Sequence, residues 1–149
     1  MKKKLIDEPI VVQVIDTLEC PWTKDAFLKL KLGSDKLAGG HGEFGTITNP
    51  IPVNHVQGEV FYLNRLRTKE GKPVSYRRKG SVSSPILETK IDEFEVSVTD
   101  CPTKSVLHFD MYNFTRSTVA PKGFTLKPVS DFTDEEIESM KIVNPEMYG

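Results

Sequence analysis

The chain has 149 residues and a formal net charge of −1, with 38% hydrophobic and 28% charged residues. This length is typical of one domain with a single core, and the balanced composition excludes an intrinsically disordered chain. The near-neutral charge also argues against a protein that binds nucleic acid over its whole surface. We therefore expect one compact domain over residues 1–149.

The start of the chain and its cysteine content predict a cytoplasmic protein. Residues 2–4 are lysines, as at the start of a signal peptide, but Asp7, Glu8 and Pro9 follow where an apolar stretch is needed. No apolar run approaches the roughly 20 residues that cross a bilayer, so we expect no membrane contact. Cys20 and Cys101 are too few for a disulfide scaffold.

The first part of the chain predicts one strand, one helix and a long loop. Residues 10–15 are mostly β-branched and predict a strand. Thr23 is a suitable N-cap for a helix near residues 23–32, and Gly33 is a suitable end. The glycines and prolines between residues 38 and 58 predict a loop.

The next segment has the pattern of short strands. Phe61 and Leu63 alternate with Tyr62 and Asn64, which predicts a strand from residue 59 to about residue 66. The pattern then predicts a turn at 68–72, a strand at 74–78 that closes at Gly80, and a strand at 124–126.

Residues 94–111 contain the clearest pattern, which predicts an antiparallel hairpin. Apolar residues alternate with polar ones on both sides of a turn at 100–103. The predicted register pairs Val98 with Leu107, Val96 with Phe109 and Phe94 with Met111. We expect the core to contain Phe94, Val96, Phe109 and Met111 together with Val12, Val14, Phe27 and Phe61.

A capping box predicts a short helix near residues 133–141. Thr133 is the N-cap, Glu136 stands three residues later, and Ile137 and Met140 face the core. Taken together, the elements predict an α+β domain. We expect a mainly antiparallel sheet of five to six strands, and a curved or barrel-like sheet is one alternative. Two short helices are predicted near 23–32 and 133–141.

Cys20-Pro21-Trp22-Thr23 lies where the first predicted strand leads into the first predicted helix. This arrangement resembles the glutaredoxin active site, in which Cys-Pro-aromatic-Cys begins a helix. The resemblance implies thiol exchange at Cys20, and Thr23 in place of the second cysteine restricts it to monothiol chemistry. The alternative is a buried cysteine that packs as a small apolar residue.

Two further motifs have both a functional and a structural interpretation. Residues 40–45 have glycine at the spacing of some phosphate-binding loops, yet no helix can follow because of Pro50 and Pro52. Glu95, His108 and Asp110 lie on the polar face of the predicted hairpin and are candidates for acid–base chemistry. The alternative for that face is a solvated surface. The histidine and carboxylates of this face could also hold a divalent ion. No spacing supports a structural zinc site, and we expect no metal and no cofactor.

Charge is distributed unevenly along the chain. Between residues 60 and 80 there are seven basic residues and one acid, a net charge of +6, whereas residues 131–146 contain six acids and one lysine, a net charge of −5. Candidate residues for binding an anion or an acidic partner are Arg65, Arg67, Arg77 and Arg78. Alternatively, the acidic segment at 131–146 covers the basic segment, either within the same fold or from a second copy of the chain.

We therefore expect a small accessory or interaction protein that self-associates as a homodimer or binds an acidic protein partner. It would present an Arg-rich hairpin at residues 60–80 and a polar sheet face. The alternatives are a glutaredoxin-like protein that uses Cys20 and a nucleic-acid or anion-binding module that uses the basic segment. Nucleic acid is the less favoured partner because the chain as a whole is not basic.

Overall fold

The computed structural model describes residues 31–32, 37–113 and 115–140, which form an α+β fold. The helices are α1 (His55–Arg65) and α2 (Asp134–Met140), and a 3-10 helix spans Val129–Asp131. The strands are β1 (Lys31–Leu32), β2 (Ile51–Pro52), β3 (Leu66–Thr68), β4 (Ser75–Ser83), β5 (Lys90–Ser97), β6 (Ser105–Asp110), β7 (Thr115–Arg116) and β8 (Phe124–Leu126).

The largest sheet has four strands in the order β2-β6-β5-β4. β4, β5 and β6 are antiparallel neighbours, whereas β2 runs parallel to β6, so the sheet is mixed. β3 and β8 form a separate antiparallel pair, and β1 and β7 form a short parallel pair. The strands of the described ranges form no closed barrel, and β2 and β4 are the edges of the main sheet.

The predicted hairpin is confirmed as β5 and β6, but its register is wrong by four residues. Phe94 lies opposite Leu107 rather than Met111, and Asp92 lies opposite Phe109. The reason is the position of the connection: the observed pairs are centred between residues 100 and 101, whereas the predicted pairs are centred between residues 102 and 103. Four is an even number, so each side chain keeps its face of the sheet and the predicted apolar face is still buried.

The strand predicted for residues 59–66 is wrong, because residues 55–65 form helix α1. Aromatic and β-branched residues favour a strand locally, but burial overrides this preference. α1 is buried around most of its circumference, including polar positions such as Gln57 and Glu59. A helix buried in this way lacks the one-sided apolar period that reveals a surface helix in a sequence.

Other predicted boundaries also differ from the structure. β4 does not close at Gly80 but continues to Ser83 through a bulge between Arg78 and Gly80. The predicted loop at 38–58 ends at Pro50, where β2 and then α1 begin. Of the helix predicted near 23–32, only residues 31 and 32 are described, and they form β1. The strand predicted at 10–15 lies outside the described residues.

The core has two parts. The larger part lies between the sheet and α1, where the Phe109 ring makes edge-to-face contacts with Tyr62 and Phe94. The predicted core residues Phe94, Val96 and Phe109 are confirmed, and Met111 packs against them from a half-buried position. The smaller part joins α1 to α2 and contains Phe61, Val129, Phe132, Ile137 and Met140. Val12, Val14 and Phe27 lie outside the described residues.

The predicted capping box is confirmed at the start of α2. The Thr133 backbone N–H donates to Glu136 Oε1 at 2.8 Å, and the Glu136 N–H donates to Thr133 Oγ1 at 3.1 Å. The first of these bonds holds the pKa of the Glu136 carboxyl below its ordinary value of 4.5. Lys127 and Arg67 lower this pKa further.

We expect Glu136→Gln to reduce stability at pH 7 but not in acid. Glutamine retains the capping hydrogen bond, so the variant removes only the charge. A carboxyl with a depressed folded pKa stabilises the fold above its unfolded pKa, and this contribution disappears as pH falls through the folded pKa. Urea unfolding at pH 7 and near about pH 3 measures the difference. A deficit of equal size at both pH values would contradict this explanation.

Candidate functional site

The predicted redox site at Cys20 lies outside the described residues. The other cysteine, Cys101, is exposed in the connection between β5 and β6. Its Sγ lies 3.6 Å from the Thr103 carbonyl oxygen, a weak contact within one turn. Glutaredoxin-like chemistry at Cys20 therefore stays a prediction.

The predicted acid–base group on the hairpin does not come together. Glu95 lies opposite Val106 rather than Asp110, and His108 lies opposite Glu93. Asp110 is four residues beyond Val106, about 13 Å along the strand. The register therefore separates Glu95 from Asp110, and His108 makes its contacts elsewhere.

His108 connects the glycine-containing loop at residues 40–45 to the sheet through hydrogen bonds. Its Nε2 lies 3.0 Å from Glu93 Oε2, and its Nδ1 lies 3.2 Å from the Gly45 carbonyl oxygen. The same carbonyl accepts the His108 backbone N–H at 2.8 Å. Gly45 has a φ of 94°, and a Cβ there would lie 3.1 Å from Leu107 Cδ2, so a larger residue would be strained. These contacts give the loop and His108 a structural role.

A cleft of about 250 Å³ lies between this loop and the first residues of β6. It is smaller than the 300–1,000 Å³ typical of small-molecule pockets. Its lining includes Phe44, Leu107 and Pro121, and its rim includes the exposed ion pair between Glu43 and Lys122. The cleft therefore lacks the size and the buried polar groups of a typical ligand site.

The four arginines proposed for anion binding divide into two pairs. Arg65 is the last residue of α1 and is 5% exposed. Its Nε donates to the Lys127 carbonyl oxygen at 3.0 Å, and its guanidinium lies 5.4 Å from the Phe61 ring. Arg67 donates to the carbonyl oxygens of Asn64 and Leu66. These two guanidinium groups are used within the fold.

The acidic helix α2 covers part of the basic segment, as one of the sequence alternatives proposed. Glu136 is close enough to Arg67 to stabilise its charged form, which opposes the lowering of the Arg67 pKa by burial. The charges of Lys127 and Arg67 in turn help to lower the pKa of the Glu136 carboxyl. The segment at 60–80 is therefore not one Arg-rich hairpin, because its first part is helix α1 and its middle part lies against α2.

The other two arginines lie on β4, beside Lys79. Arg77 Nη2 lies 3.1 Å from Glu95 Oε1, and Arg78 Nη2 lies 3.0 Å from Asp92 Oδ1. The hydrogen bond from Arg77 and the charge of Lys104 hold the pKa of Glu95 below its ordinary value. Lys79 is exposed and falls in the bulge. We call Arg77, Arg78 and Lys79 the basic edge.

A second polar region, which the sequence did not reveal, lies at the opposite edge of the sheet. Here the parallel strands β2 and β6 end together, and α1 begins. The Val53 N–H donates to the Asp110 carbonyl oxygen at 2.9 Å, and the His55 N–H donates to the Met111 carbonyl oxygen at 2.7 Å. Asn54 forms a bridge with Tyr112. We call Asn54, His55, Gln57, Asp110 and Tyr112 the strand-end junction.

Several polar atoms of the strand-end junction are buried without a hydrogen-bond partner among the described residues. They are Asn54 Oδ1, Asn54 Nδ2, His55 Nδ1 and Gln57 Oε1. Asn54 is 1% exposed and occupies the N-cap position of α1, yet its side chain makes no capping bond. His55 has a φ of 66°, and burial lowers the pKa of its imidazole. Only Asn54 as a potential N-cap could have indicated this region in the sequence.

Comparison of the chain with protein-family models, with curated protein sequences and with solved structures finds no match. Neither described helix is long and apolar enough to cross a membrane. Over residues 37–113 and 115–140 there is no group of three or more His, Cys, Asp or Glu side chains that could hold a metal ion. The two candidate regions are therefore judged on their own geometry.

Proposed function

We propose that this chain is an interaction module that pairs an extended, acidic segment of a partner protein along the open edge of β4. The single observation that carries the proposal is the position of β4. It is a nine-residue strand at the edge of the main sheet, and it carries the three cations of the basic edge.

The backbone of β4 is suited to adding a strand. β5 pairs with one side of it, and in the described part of the chain no strand pairs with the other. Every residue of β4 is at least partly exposed, and exposed positions alternate with half-buried ones. An edge of this kind offers a row of backbone N–H and C=O groups to an extended peptide.

The charges on β4 determine which peptide is favoured. Lys79 lies in the bulge and has no ion-pair partner among the residues the structure describes. Arg77 shares Glu95 with Lys104, so these three groups together keep one positive charge. Opposite charges on directly facing strands are stabilising and like charges are destabilising, so an acidic segment is favoured over a basic one.

The same charges make other partners less favourable. Edge-to-edge pairing of two copies through β4 would bring the basic edges against each other. A nucleic acid would need guanidinium groups free for phosphate, whereas Arg65 and Arg67 donate to backbone carbonyls and Arg78 pairs with Asp92. An acidic protein segment needs only the backbone edge and the remaining positive charge.

Binding of short synthetic peptides tests this proposal. A fluorescent peptide that alternates Thr and Glu should bind the full chain, and its affinity should fall as salt rises because exposed charges are screened. The matched peptide that alternates Thr and Lys should bind far more weakly. Lys79→Glu should reduce affinity for the acidic peptide about tenfold, which corresponds to about 1.4 kcal/mol.

Lys122→Glu is the matched control, since Lys122 is exposed and lies beside Glu43 in a different part of the surface. It should change affinity little. Equal binding of the two peptides, or equal effects of Lys79→Glu and Lys122→Glu, would contradict the proposal. Concentration-dependent dimerisation that Lys79→Glu abolishes would instead identify a second copy as the partner.

A further inference from the structure

We propose that the first residues of β6, together with the cleft beside them, bind a neutral, apolar, extended segment of a partner protein. The cleft lies between residues 43–46 on one side and residues 121–124 on the other. β5 separates β6 from β4 in the sheet, so this site is distinct from the basic edge. It is therefore independent of the proposed binding of an acidic segment.

The backbone of Val106 is the first observation. Two hydrogen bonds identify the side of β6 that faces away from β5: the His108 N–H donates to the Gly45 carbonyl oxygen, and the Asp110 carbonyl oxygen accepts the Val53 N–H. Residues two apart in a strand direct their backbone groups to the same side, so the N–H and C=O of Val106 also point away from β5. β2 pairs with only the last two residues of β6. Within the described ranges, no hydrogen bond reaches these two groups of Val106.

The side chains around this edge are the second observation. Val106 is 42% exposed, although β6 is buried from Leu107 onward. The cleft is lined by the apolar residues Phe44, Leu107, Pro121 and Phe124. Its volume of about 250 Å³ is small for a drug-sized ligand but leaves room for one leucine side chain. An open backbone position and an apolar cleft therefore lie next to each other.

These two features define the segment that fits. A single residue of an antiparallel segment would make both hydrogen bonds with Val106, and its side chain would lie beside that of Val106. Successive side chains of a strand point to opposite faces, so the preceding residue of the segment would be directed to the face of Leu107, which lines the cleft. Both neighbours are apolar, so a leucine followed by a valine suits the site.

The surroundings favour a neutral segment from another protein. The exposed ion pair between Glu43 and Lys122 has no net charge, so this rim attracts neither an acidic nor a basic segment. Two copies of the chain paired about Val106 would place the start of each β6 beside His108 of the other copy. The Gly45 backbone already occupies that position of the edge, so a second copy does not fit. The same contact requires the segment to begin near its leucine.

NMR titration of the ¹⁵N-labelled full chain with the peptide acetyl-Leu-Val-Thr-Thr-amide tests the inference. We expect saturable shifts of the amide signals of Val106, Leu107 and Gly45, with little dependence on salt because the peptide is uncharged. The matched peptide with N-methylvaline lacks the N–H that donates to the Val106 carbonyl oxygen. It should bind about tenfold more weakly. A peptide with serine in place of leucine should also bind about tenfold more weakly.

Val106→Pro tests the same edge from the side of the protein. Proline removes the outward N–H and leaves the pairing with β5 intact, because a strand tolerates proline where the N–H faces away from its ladder. The variant should bind the peptide about tenfold more weakly, whereas Val106→Ala, which keeps the N–H, should lose only about twofold. Circular dichroism establishes that Val106→Pro is folded, and the N-methylated peptide tests the backbone pairing with the wild-type chain.

Absence of saturable shifts at Val106, Leu107 and Gly45 would overturn the inference, as would equal binding of the methylated and unmethylated peptides. Shifts confined to β4 would also overturn it. Concentration-dependent dimerisation that Val106→Pro abolishes would identify a second copy as the occupant instead. Val106→Pro should leave binding of the acidic Thr/Glu peptide unchanged, and Lys79→Glu should leave binding of the neutral peptide unchanged. The two proposed sites can therefore fail separately.

Discussion

Phe109→Ala should lower the free energy of unfolding by about 3–5 kcal/mol. Phe109 is fully buried near the end of β6, and its ring centroid lies 5.4 Å from that of Tyr62 and 5.5 Å from that of Phe94. The substitution removes two edge-to-face contacts and leaves a cavity between the sheet and α1, which cannot close without moving the helix.

Urea denaturation followed by circular dichroism measures this loss. A domain of this size has about 5–15 kcal/mol of stability, so the variant should lose a large part of it and unfold at a clearly lower urea concentration. Val106→Ala on the same strand is the control, because Val106 is 42% exposed and should change stability by less than about 0.5 kcal/mol. A midpoint near that of the wild type for Phe109→Ala would mean that the sheet does not pack on α1 as described.

Arg65→Met should lower the free energy of unfolding by about 2–4 kcal/mol. Methionine retains the length and apolar packing of the arginine stem but cannot donate hydrogen bonds. Arg65 Nε donates to the Lys127 carbonyl oxygen, and the Lys127 backbone N–H donates back to the Arg65 carbonyl oxygen. A second, longer bond reaches the Ser117 carbonyl oxygen. The variant leaves the half-buried Lys127 carbonyl and the buried Ser117 carbonyl without their charged donor.

Arg77→Met is the matched control, because it removes a guanidinium group that is exposed and paired only with Glu95. Exposed ion pairs contribute about 0–1 kcal/mol, so its midpoint in urea should be close to that of the wild type. Arg65→Lys separates charge from geometry, since lysine lacks the rigid fork that reaches two carbonyls. Normal stability of Arg65→Met together with lost binding of the acidic peptide would instead make Arg65 a binding residue.

The two arginine variants also distinguish the two uses of a basic segment. Arg65, Arg67, Arg77 and Arg78 are close in sequence. Because arginine is suited to binding phosphate or carboxylate groups, the sequence predicted that the four bind one anion together. In the structure, the chain turns between the end of α1 and the start of β4. Arg65 and Arg67 therefore donate hydrogen bonds to backbone carbonyl oxygens of the fold. Of the four arginines, only Arg77 and Arg78 lie on an edge strand of the main sheet.

Local patterns determined the elements whose stabilising contacts are close in sequence. The capping box at Thr133 and Glu136 is such a case, because both of its hydrogen bonds lie within one turn. The alternation in β5 and β6 is another, since period two assigns each residue to a face whatever the register is. The α+β class followed from these elements and is confirmed by the structure.

Tertiary structure decided everything that depends on distant partners. Burial on nearly all sides made residues 55–65 a helix despite their aromatic and β-branched content. The position of the connection after β5 set a register that brought His108 to Glu93 instead of Ser97 and separated Glu95 from Asp110. The strand-end junction joins Asn54 to Tyr112 across more than fifty residues of sequence. No local pattern contains such a pairing, because it arises only when β2 aligns with β6.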